Sequence, residues 1–325
     1  MTSTDTEFSA GTVNDNERDR ELHTFSLAGK KSGHGAVAWL PAPDYDMLPS
    51  PSWPPGPGRS PVIALLDSGV EEAHPWLPRP DPPDPSFVVQ HWPDGEPPLP
   101  ELGPANHLGQ PDLGSHWIHG TFIAGLVHLH APHAQIVSMR VMNAKGKVKQ
   151  HDVVSALNWL HDNQQDCPVD IVLMAFGRPA DPGDTDLGGL RKAMARLGQV
   201  QFVASAGNDH SDRTVYPAAF AEDEDLHVTS VGAGTRATER APYSNYGPWV
   251  RKWRTGTNII SLAPLTTATL DEPPAMGRAD DRPYTVAKTG YGYAWWSGTS
   301  FAAALYAAEV AKRMSPSAAV PPAGS

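Results

Sequence analysis

Ser300 is the residue of this chain best suited to nucleophilic chemistry, and it lies in the stretch Ser-Gly-Thr-Ser-Phe-Ala-Ala-Ala at residues 297–304. A serine hydroxyl attacks a carbonyl efficiently only when a base accepts its proton and hydrogen-bond donors stabilise the oxyanion that forms. The Gly-Thr turn and the alanines predict that Ser300 begins a helix, where unpaired backbone N–H groups and the helix dipole favour negative charge. The ordinary alternative is a serine that only caps a helix.

Three other polar residues stand where strands are predicted to end or a helix to begin. Asp67 follows an apolar run, His119 opens the stretch His-Gly-Thr-Phe-Ile-Ala-Gly, and Asn208 follows Phe-Val-Ala-Ser-Ala-Gly. Taken singly, these are ordinary features: a turn, a capping or surface histidine, and a Gly-Asn turn. Together with Ser300 they supply a carboxylate, a base, an amide donor and a nucleophile, so the sequence favours acyl transfer at a serine.

The elements that would position these residues alternate between strands and helices. Apolar runs of strand length occupy residues 61–66, 135–141, 170–175, 201–205 and 227–231. Helical patterns occupy residues 119–130, 151–163, 186–197 and 300–313. Strands that are apolar throughout are buried on both faces, so the predicted fold class is α/β, with a doubly wound, mostly parallel sheet covered by helices on both faces. Active residues of such folds collect at the carboxyl edge of the sheet.

The chain ahead of this alternating region is polar and rich in proline. Residues 1–24 mix charges with few apolar side chains, which predicts disorder. Residues 41–104 hold 19 of the 34 prolines, which excludes regular structure over most of that stretch apart from the run at 61–66. A weak apolar stretch at 35–40 predicts an edge strand.

Three units follow from this pattern. We predict a polar, proline-rich and partly disordered N-terminal extension at residues 1–58, a catalytic domain at 59–314 and a disordered tail at 315–325.

The motifs around Asp67, His119, Asn208 and Ser300 resemble those of the subtilisin-like serine proteases, the subtilases, and they occur in the same chain order. The resemblance runs from about residue 60 to residue 314. It extends to four further stretches, which are His-Pro-Trp-Leu at 74–77, Asp-Ile-Val-Leu-Met-Ala-Phe-Gly at 170–177, Tyr-Pro-Ala at 216–218 and Tyr-Ser-Asn-Tyr-Gly at 243–247.

The resemblance implies a role for each matching residue. Ser300 would attack the scissile carbonyl and form an acyl-enzyme, His119 would carry the proton to the leaving amine, and Asp67 would orient His119. Asn208 would form the oxyanion hole together with the backbone N–H of Ser300. The residues that flank the substrate would be Leu173, Ala175, Phe176, Gly177, Ala204, Ala206 and Gly207. The implied activity is that of a serine endopeptidase.

The chain departs from the family pattern near these motifs. Ile118 stands where a glycine is usual, Phe122 replaces a common second histidine, and Ala304 replaces a common proline. None of the three carries the chemistry. Phe176 stands where leucine is usual and predicts altered subsites, and the proline-rich stretch 78–104 is either a linker-like loop or a rim that faces the substrate.

No metal or other cofactor is predicted. Trp76 stands where many subtilases have an aspartate ligand of a strong calcium site, and residues 126–132 run almost directly into the next strand, which leaves no room for the usual ligand loop. Calcium takes about six to eight oxygen ligands, so we expect this site to be absent. His128, His130 and His133 suggest a transition metal, but without an acidic partner a solvated turn is favoured.

Composition limits the partners. The net charge of −11 argues against nucleic acid, whose phosphates require clustered Lys and Arg. No apolar run approaches the length of a membrane span and the first residues lack the features of a secretory signal, so we expect no membrane partner and a cytoplasmic location. The single cysteine, Cys167, excludes an internal disulfide and is expected to be a reduced, structural thiol. The expected partner is a peptide or protein substrate, and the sequence does not define the oligomeric state.

The segment ahead of the Asp67 strand does not resemble a folded inhibitory prodomain of the family. This favours an intracellular processing enzyme without a cleaved prodomain, or one that receives its prodomain in trans. Two alternatives stay open on the sequence: a catalytically silent subtilase fold that serves as a binding module, and a peptide ligase or cyclase that uses the same acyl-enzyme.

Overall fold

The secondary structure alternates strands with helices along most of the described chain. The computed structural model describes residues 21–24, 38–40, 59–71, 74, 76–77, 88–91, 116, 118–143, 146–179, 187–236, 239–263, 269–270, 284–285 and 292–314. The strands are β1 Glu21–Thr24, β2 Ala38–Leu40, β3 Val62–Asp67, β4 Val88–His91, β5 Gln135–Arg140, β6 Lys147–Lys149, β7 Ile171–Met174, β8 Phe176–Pro179, β9 Gln201–Ser205, β10 Val215–Tyr216, β11 Val228–Arg236, β12 Glu239–Arg240, β13 Lys252–Thr255, β14 Ile259–Leu262, β15 Thr269–Leu270, β16 Tyr284–Thr285 and β17 Tyr293–Trp296. The helices are α1 His119–His130, α2 Gln150–Asp162, α3 Leu187–Arg196 and α4 Thr299–Met314, with a 3₁₀ helix at Ala218–Glu222.

The largest sheet has eight strands in the order β12-β11-β9-β7-β3-β5-β4, with β13 also paired to β11. All of these pairings are parallel except that of β12 with β11. Successive side chains of β3 enter different cores: Ile63 and Leu65 pack with residues of α1 and α4, whereas Leu66 packs with residues of α2 and α3. The predicted α/β fold class is therefore confirmed, with helices on both faces of a mostly parallel sheet.

The predicted strand at 170–175 is shorter than expected. β7 ends at Met174, and β8 begins two residues later in a separate four-stranded sheet of order β10-β8-β1-β6. This break puts Ala175 between the two sheets. By contrast, the strand predicted at 227–231 is longer than expected, since β11 continues to Arg236, where it pairs with β12 through an irregular register.

Two segments of the N-terminal third correct the sequence-based expectations. Residues 21–24 were predicted to be disordered with the rest of 1–24, but they form β1. Residues 88–91 lie in the region from which regular structure was excluded, yet the proline-free run forms β4 at the edge of the main sheet. Residues 1–20, the tail at 315–325 and the rest of 78–104 lie outside the described residues.

Two smaller sheets complete the architecture. β14, β17 and β2 form an antiparallel sheet in which β2, within the apolar stretch at 35–40, is the predicted edge strand. β15 pairs with β16. Among the described helices, none is both long and apolar enough to cross a membrane.

Candidate active site

Asp67 and His119 form a buried pair at the carboxyl edge of the main sheet. Asp67 is the last residue of β3, and His119 is the first residue of α1. His119 Nδ1 lies 2.9 Å from each carboxylate oxygen of Asp67, and both side chains have no exposed surface. The acceptor-only carboxylate requires a proton on Nδ1, so in the neutral imidazole Nε2 carries the lone pair.

The turn after β3 fixes this carboxylate. The backbone N–H of Ser68 donates to Asp67 Oδ1 at 2.7 Å, and the Ser68 hydroxyl accepts from the backbone N–H of Gly120 at 3.0 Å. Gly120 packs directly on the turn: a Cβ at this position would lie 2.2 Å from the carbonyl oxygen of Gly69. Only glycine therefore lets α1 begin this close to the carboxylate.

Aromatic rings enclose the His119 imidazole. Trp296 contacts it edge-on with ring centroids 5.5 Å apart, and Phe301 lies at 5.6 Å. Phe122 packs against both of these rings, so its apolar side chain stabilises the aromatic cluster where the family commonly has a second histidine.

His116 is a second histidine beside His119, at 6.2 Å between ring centroids. Burial, which is the larger cause, and the positive charge of a protonated His119 together lower the pKa of His116 to about 3. His116 is therefore neutral at physiological pH. No sequence motif marks His116 as part of this neighbourhood.

Ser300 is the second residue of α4, and its side chain is buried. Its hydroxyl donates to the backbone carbonyl of Ala175 at 3.1 Å. This contact joins the start of α4 to the break between β7 and β8. The structure thus brings Ser300 to the same edge of the sheet as Asp67 and His119, since α4 also packs on α1 through the Phe122–Phe301 contact.

The residue before Ser300 is tied to the end of β9. The backbone N–H of Thr299 donates to Asn208 Oδ1 at 3.0 Å, and the Thr299 hydroxyl accepts from the backbone N–H of Gly207 at 3.1 Å. Gly207 has a φ of 105°, a conformation that favours glycine. Since Asn208 Oδ1 accepts from Thr299, the amide nitrogen lies on the other branch of the side chain and points in a different direction.

Asn245 holds the loop that carries Asn208. Its Oδ1 accepts from the backbone N–H groups of Asp209 and Ser211, at 2.9 and 3.0 Å, and its Nδ2 donates to the carbonyl of Ala206 at 3.0 Å. Its backbone N–H donates to the Gly207 carbonyl. The side chain is 1% exposed. Asn245 lies in one of the stretches that resemble the family, but the sequence assigns it no function. Its hydrogen-bond partners lie in the loop after β9, more than thirty positions earlier in the chain.

The seven residues predicted to flank a substrate fall into two groups. Ala175, Phe176, Gly177, Ala206 and Gly207 lie at or just beyond the ends of β7 and β9. Leu173 and Ala204 lie within those strands and are fully buried, with Leu173 in the core shared with α1 and α4. Phe176 is also fully buried and packs in the core on the opposite face.

His74 and Trp76 lie in the region where the sequence predicts no calcium site. His74 Nε2 lies 3.1 Å from the Ala263 carbonyl and Nδ1 accepts from the Trp76 backbone N–H at 3.2 Å, while burial lowers the His74 pKa. The Trp76 ring packs edge-on against Tyr293 at 5.1 Å. In the part of the chain that the structure describes, no group of three or more His, Cys, Asp or Glu side chains could hold a metal ion. The absence of a calcium site stays a prediction.

The chain is similar to proteolytic enzymes over most of its length. The model of the subtilase family matches residues 58–322. The chain is 27% identical over 186 residues to Subtilisin-like protease 5 of Arthroderma otae, which covers 53% of this chain and 44% of the relative. It is 26% identical over 250 residues to the thermophilic serine proteinase of Bacillus sp. (strain AK1), which covers 74% of this chain and 48% of the relative. The chain thus spans about half the length of these curated relatives or less.

Solved structures support the fold. A cold adapted subtilisin-like serine proteinase superposes with a TM-score of 0.53 at 20% identity, covering 79% of this chain and 76% of the other. The protease domain of PatA, solved as an S218A mutant, superposes with a TM-score of 0.55 at 20% identity, covering 80% and 84%. A lanthipeptide protease gives 0.55 at 21% identity, covering 78% and 73%.

Proposed function

The chain belongs to the subtilase family, and we propose that it is a serine endopeptidase that hydrolyses peptide bonds through an acyl-enzyme on Ser300. The observation that carries the proposal is the buried pair of Asp67 and His119, with the imidazole Nδ1 2.9 Å from both carboxylate oxygens and Nε2 left as the base. The carboxylate holds the imidazole in the tautomer with the proton on Nδ1 and would stabilise the imidazolium that forms during the reaction.

In the proposed acylation step, the Ser300 hydroxyl turns from the Ala175 carbonyl toward His119 Nε2. His119 accepts the proton as Oγ bonds to the scissile carbonyl carbon, and then returns the proton to the amine that leaves. Asp67 stays ionised and stabilises the imidazolium. Water repeats the sequence on the acyl-enzyme and releases the carboxylic acid product.

The negative charge that develops on the carbonyl oxygen needs donors fixed in advance. We assign this role to the side-chain amide of Asn208 and the backbone N–H of Ser300. The supporting contact is the hydrogen bond from Thr299 to Asn208 Oδ1, because it directs the amide nitrogen of that side chain away from Thr299. The Ser300 N–H lies in the first turn of α4, where the helix dipole adds positive potential.

The finer role that we propose is processing of peptide or protein substrates inside the cell, with no resident metal. The support for a dedicated substrate is the long interval before His119, which departs from the usual family pattern. The intracellular location and the absence of a metal are proposed from the sequence alone. Of the seven flanking residues named from the sequence, the five at or just beyond the ends of β7 and β9 are proposed to border the substrate, whereas Leu173 and Ala204 lie within those strands and are packed in the cores.

The test is intact mass spectrometry after treatment with a small fluorophosphonate. Wild type should gain one adduct, and Ser300→Ala, with a normal thermal unfolding curve, should gain none. A folded wild-type protein that gains no adduct would show that the site is silent, and the binding-module alternative would replace this proposal.

Hydrolysis and ligation share the acyl-enzyme, so only the products separate them. A peptide substrate incubated in ¹⁸O-labelled water should yield a carboxyl-terminal product that carries the label. Cyclic or ligated products without the label would instead support the ligase alternative.

A further inference from the structure

Tyr243 contacts both parts of the chain that carry the proposed oxyanion donors. Its backbone carbonyl accepts at 2.9 Å from the N–H of His210, which lies two residues after Asn208. Its phenol hydroxyl donates to the backbone carbonyl of Gly256 at 2.7 Å. We infer that Tyr243 is a positioning residue, which holds the backbone N–H of Ser300 and the side chain of Asn208 at the spacing that the oxyanion requires. The inference rests on the proposed function.

Gly256 connects the Tyr243 hydroxyl to the turn that carries the nucleophile. The Gly256 carbonyl accepts a second hydrogen bond, at 2.8 Å, from the backbone N–H of Gly298, two positions before Ser300. A carbonyl oxygen has two lone pairs, so it can accept both bonds at once. The hydroxyl and the turn are therefore joined through one shared oxygen atom, and a shift of that atom would move the start of α4.

The backbone of Gly256 lies in close contact with β11 and with α4. A Cβ at this position would lie 2.6 Å from the Ala233 Cβ, 2.7 Å from the Gly298 carbonyl oxygen and 3.3 Å from the Ala302 Cβ. The Gly256 N–H donates to the Gly234 carbonyl at 3.0 Å. The phenol hydroxyl therefore binds a carbonyl that is already packed against the first turn of α4.

The Tyr243 hydroxyl is fixed as the donor to Gly256. A carbonyl can only accept, so the phenol proton points to Gly256, and the Thr257 hydroxyl, 3.0 Å away, donates to the phenol oxygen. Burial raises the pKa of Tyr243 to about 12, so the hydroxyl keeps its proton throughout the neutral range. The ring is buried in the core that includes α1 and α4.

The neighbours of Tyr243 complete the connection. Asn245 binds backbone groups of the loop that follows β9. Ser244 anchors the segment to β11, since its hydroxyl accepts from the backbone N–H of Ala233 at 3.0 Å. Residues 243–245 therefore contact the loop that carries the amide donor and, through Gly256, the turn that carries the nucleophile.

The first test is Tyr243→Phe, which keeps the ring in the core and removes only the hydroxyl. We expect kcat for a peptide substrate to fall about tenfold with KM unchanged, because the effect is on the transition state. Deletion of an oxyanion donor in a subtilisin costs more, about 10²–10³-fold, since there the donor is removed and not merely displaced. The matched control is Thr257→Val, which removes the other partner of the hydroxyl and leaves the bond to Gly256, so its kcat should equal that of the wild type.

The second measurement separates positioning from a general loss of active protein. A peptidyl trifluoromethyl ketone forms a tetrahedral adduct with the nucleophilic serine, and the oxyanion of this adduct needs the same donors. Its inhibition constant should rise about tenfold in Tyr243→Phe, in step with the fall in kcat. The corresponding peptidyl alcohol forms no oxyanion, and its inhibition constant should not change. A smaller fraction of folded protein would alter neither constant.

Labelling of the wild type with the small fluorophosphonate keeps the two proposals apart. A labelled wild type, with kcat and ketone inhibition unchanged in Tyr243→Phe or with an effect confined to KM, would overturn this inference and leave the proposed function intact. An equal loss of kcat in Thr257→Val would do the same, because the bond to Gly256 would not be the cause. A folded wild type without the adduct would overturn the proposed function and the inference with it.

Discussion

The backbone N–H of Thr299 donates a hydrogen bond to the side-chain carbonyl of Asn208 at 3.0 Å. This bond joins the residue that precedes the nucleophile to the proposed oxyanion donor, although 91 positions of sequence separate them. A second bond, from Gly207 N–H to the Thr299 hydroxyl, runs the other way. The start of α4 and the segment that follows β9 are therefore held together, which keeps Asn208 and Ser300 in a constant relative position.

Asn208→Ala removes the proposed donor while leaving Ser300 and its base in place. We expect kcat to fall about 10²–10³-fold with little change in KM, a magnitude known from loss of this kind of donor in a subtilisin. Steady-state kinetics with a peptide substrate would measure it. Asn208→Asp keeps an acceptor for Thr299 but not the donor, and retention of wild-type kcat by that variant would refute the assignment.

Gly120→Ala should damage both stability and activity. The added methyl group would lie 2.2 Å from the Gly69 carbonyl and 3.3 Å from Asp67 Oδ1, so the helix must move away from the carboxylate. Overpacking of this kind costs about 1–3 kcal/mol of unfolding free energy. Chemical denaturation and kcat/KM would report the two effects.

The matched control is Gly188→Ala. This glycine lies in α3, and a Cβ there would have nothing within 4 Å. The variant should gain up to about 1 kcal/mol from the better helix propensity of alanine. Equal destabilisation by both substitutions would show that contact with the Asp67 turn is not the cause.

His116 should make the protein sensitive to acid. Its pKa is about 3 in the folded protein against an ordinary value of 6.5, so the unfolded chain takes up a proton at a higher pH than the folded chain. The stability contributed by neutral His116 is complete above pH 6.5 and is lost as the pH falls toward 3. Between pH 7 and pH 5 the loss is about 2 kcal/mol.

His116→Gln cannot take up this proton. Urea denaturation at pH 7 and at pH 5 should therefore show a smaller loss for the variant than for wild type, by about 2 kcal/mol. Burial also lowers the pKa of His74, but that residue is common to both proteins and cancels in the comparison. An identical loss in both proteins would exclude His116 as the source.

Asn245→Ala should loosen the loop that carries Asn208. The substitution leaves two half-buried N–H groups and the buried Ala206 carbonyl without the side-chain partner that they have in the wild type. We expect a loss of roughly 2–4 kcal/mol in unfolding free energy and a lower kcat. A double-mutant cycle with Asn208→Ala would show whether the kinetic effect passes through Asn208, because additive losses in kcat would mean that it does not.

The sequence predicted the main sheet and the neighbourhood of the site because both rest on local signals. The strand at 201–205 and the helix at 119–130 have the predicted bounds, since each is an uninterrupted apolar or small-residue run. Asp67, His119 and Ser300 stand at element ends that these runs define. The contact between Asp67 and His119, and the position of Ser300 at the same edge, follow from the parallel sheet, whose carboxyl edge collects such residues.

Other features depend on contacts that no local signal carries. β1 has no alternation of apolar and polar residues, and it forms a strand because it pairs with the edges of β6 and β8. Asn245 lies in a turn-like stretch, and its function depends on a loop more than thirty positions earlier in the chain. The sequence does not predict the break at Ala175, because the apolar run continues through this residue. The break occurs where the chain passes from the main sheet to the four-stranded sheet.

We expect a substrate strand to add to β8 in the antiparallel direction in which β1 pairs with it, and this direction would determine which fragment of a cut peptide leaves first. A strand in this register would run along β8 toward Ala175, so its amino-terminal part would make the hydrogen bonds to β8 and its carboxyl-terminal part would extend past Ser300. After cleavage the fragment with the new carboxyl terminus keeps those bonds, whereas the fragment with the new amino terminus has lost its covalent attachment to them. Product inhibition should therefore come from the former, and its departure would govern turnover late in a reaction.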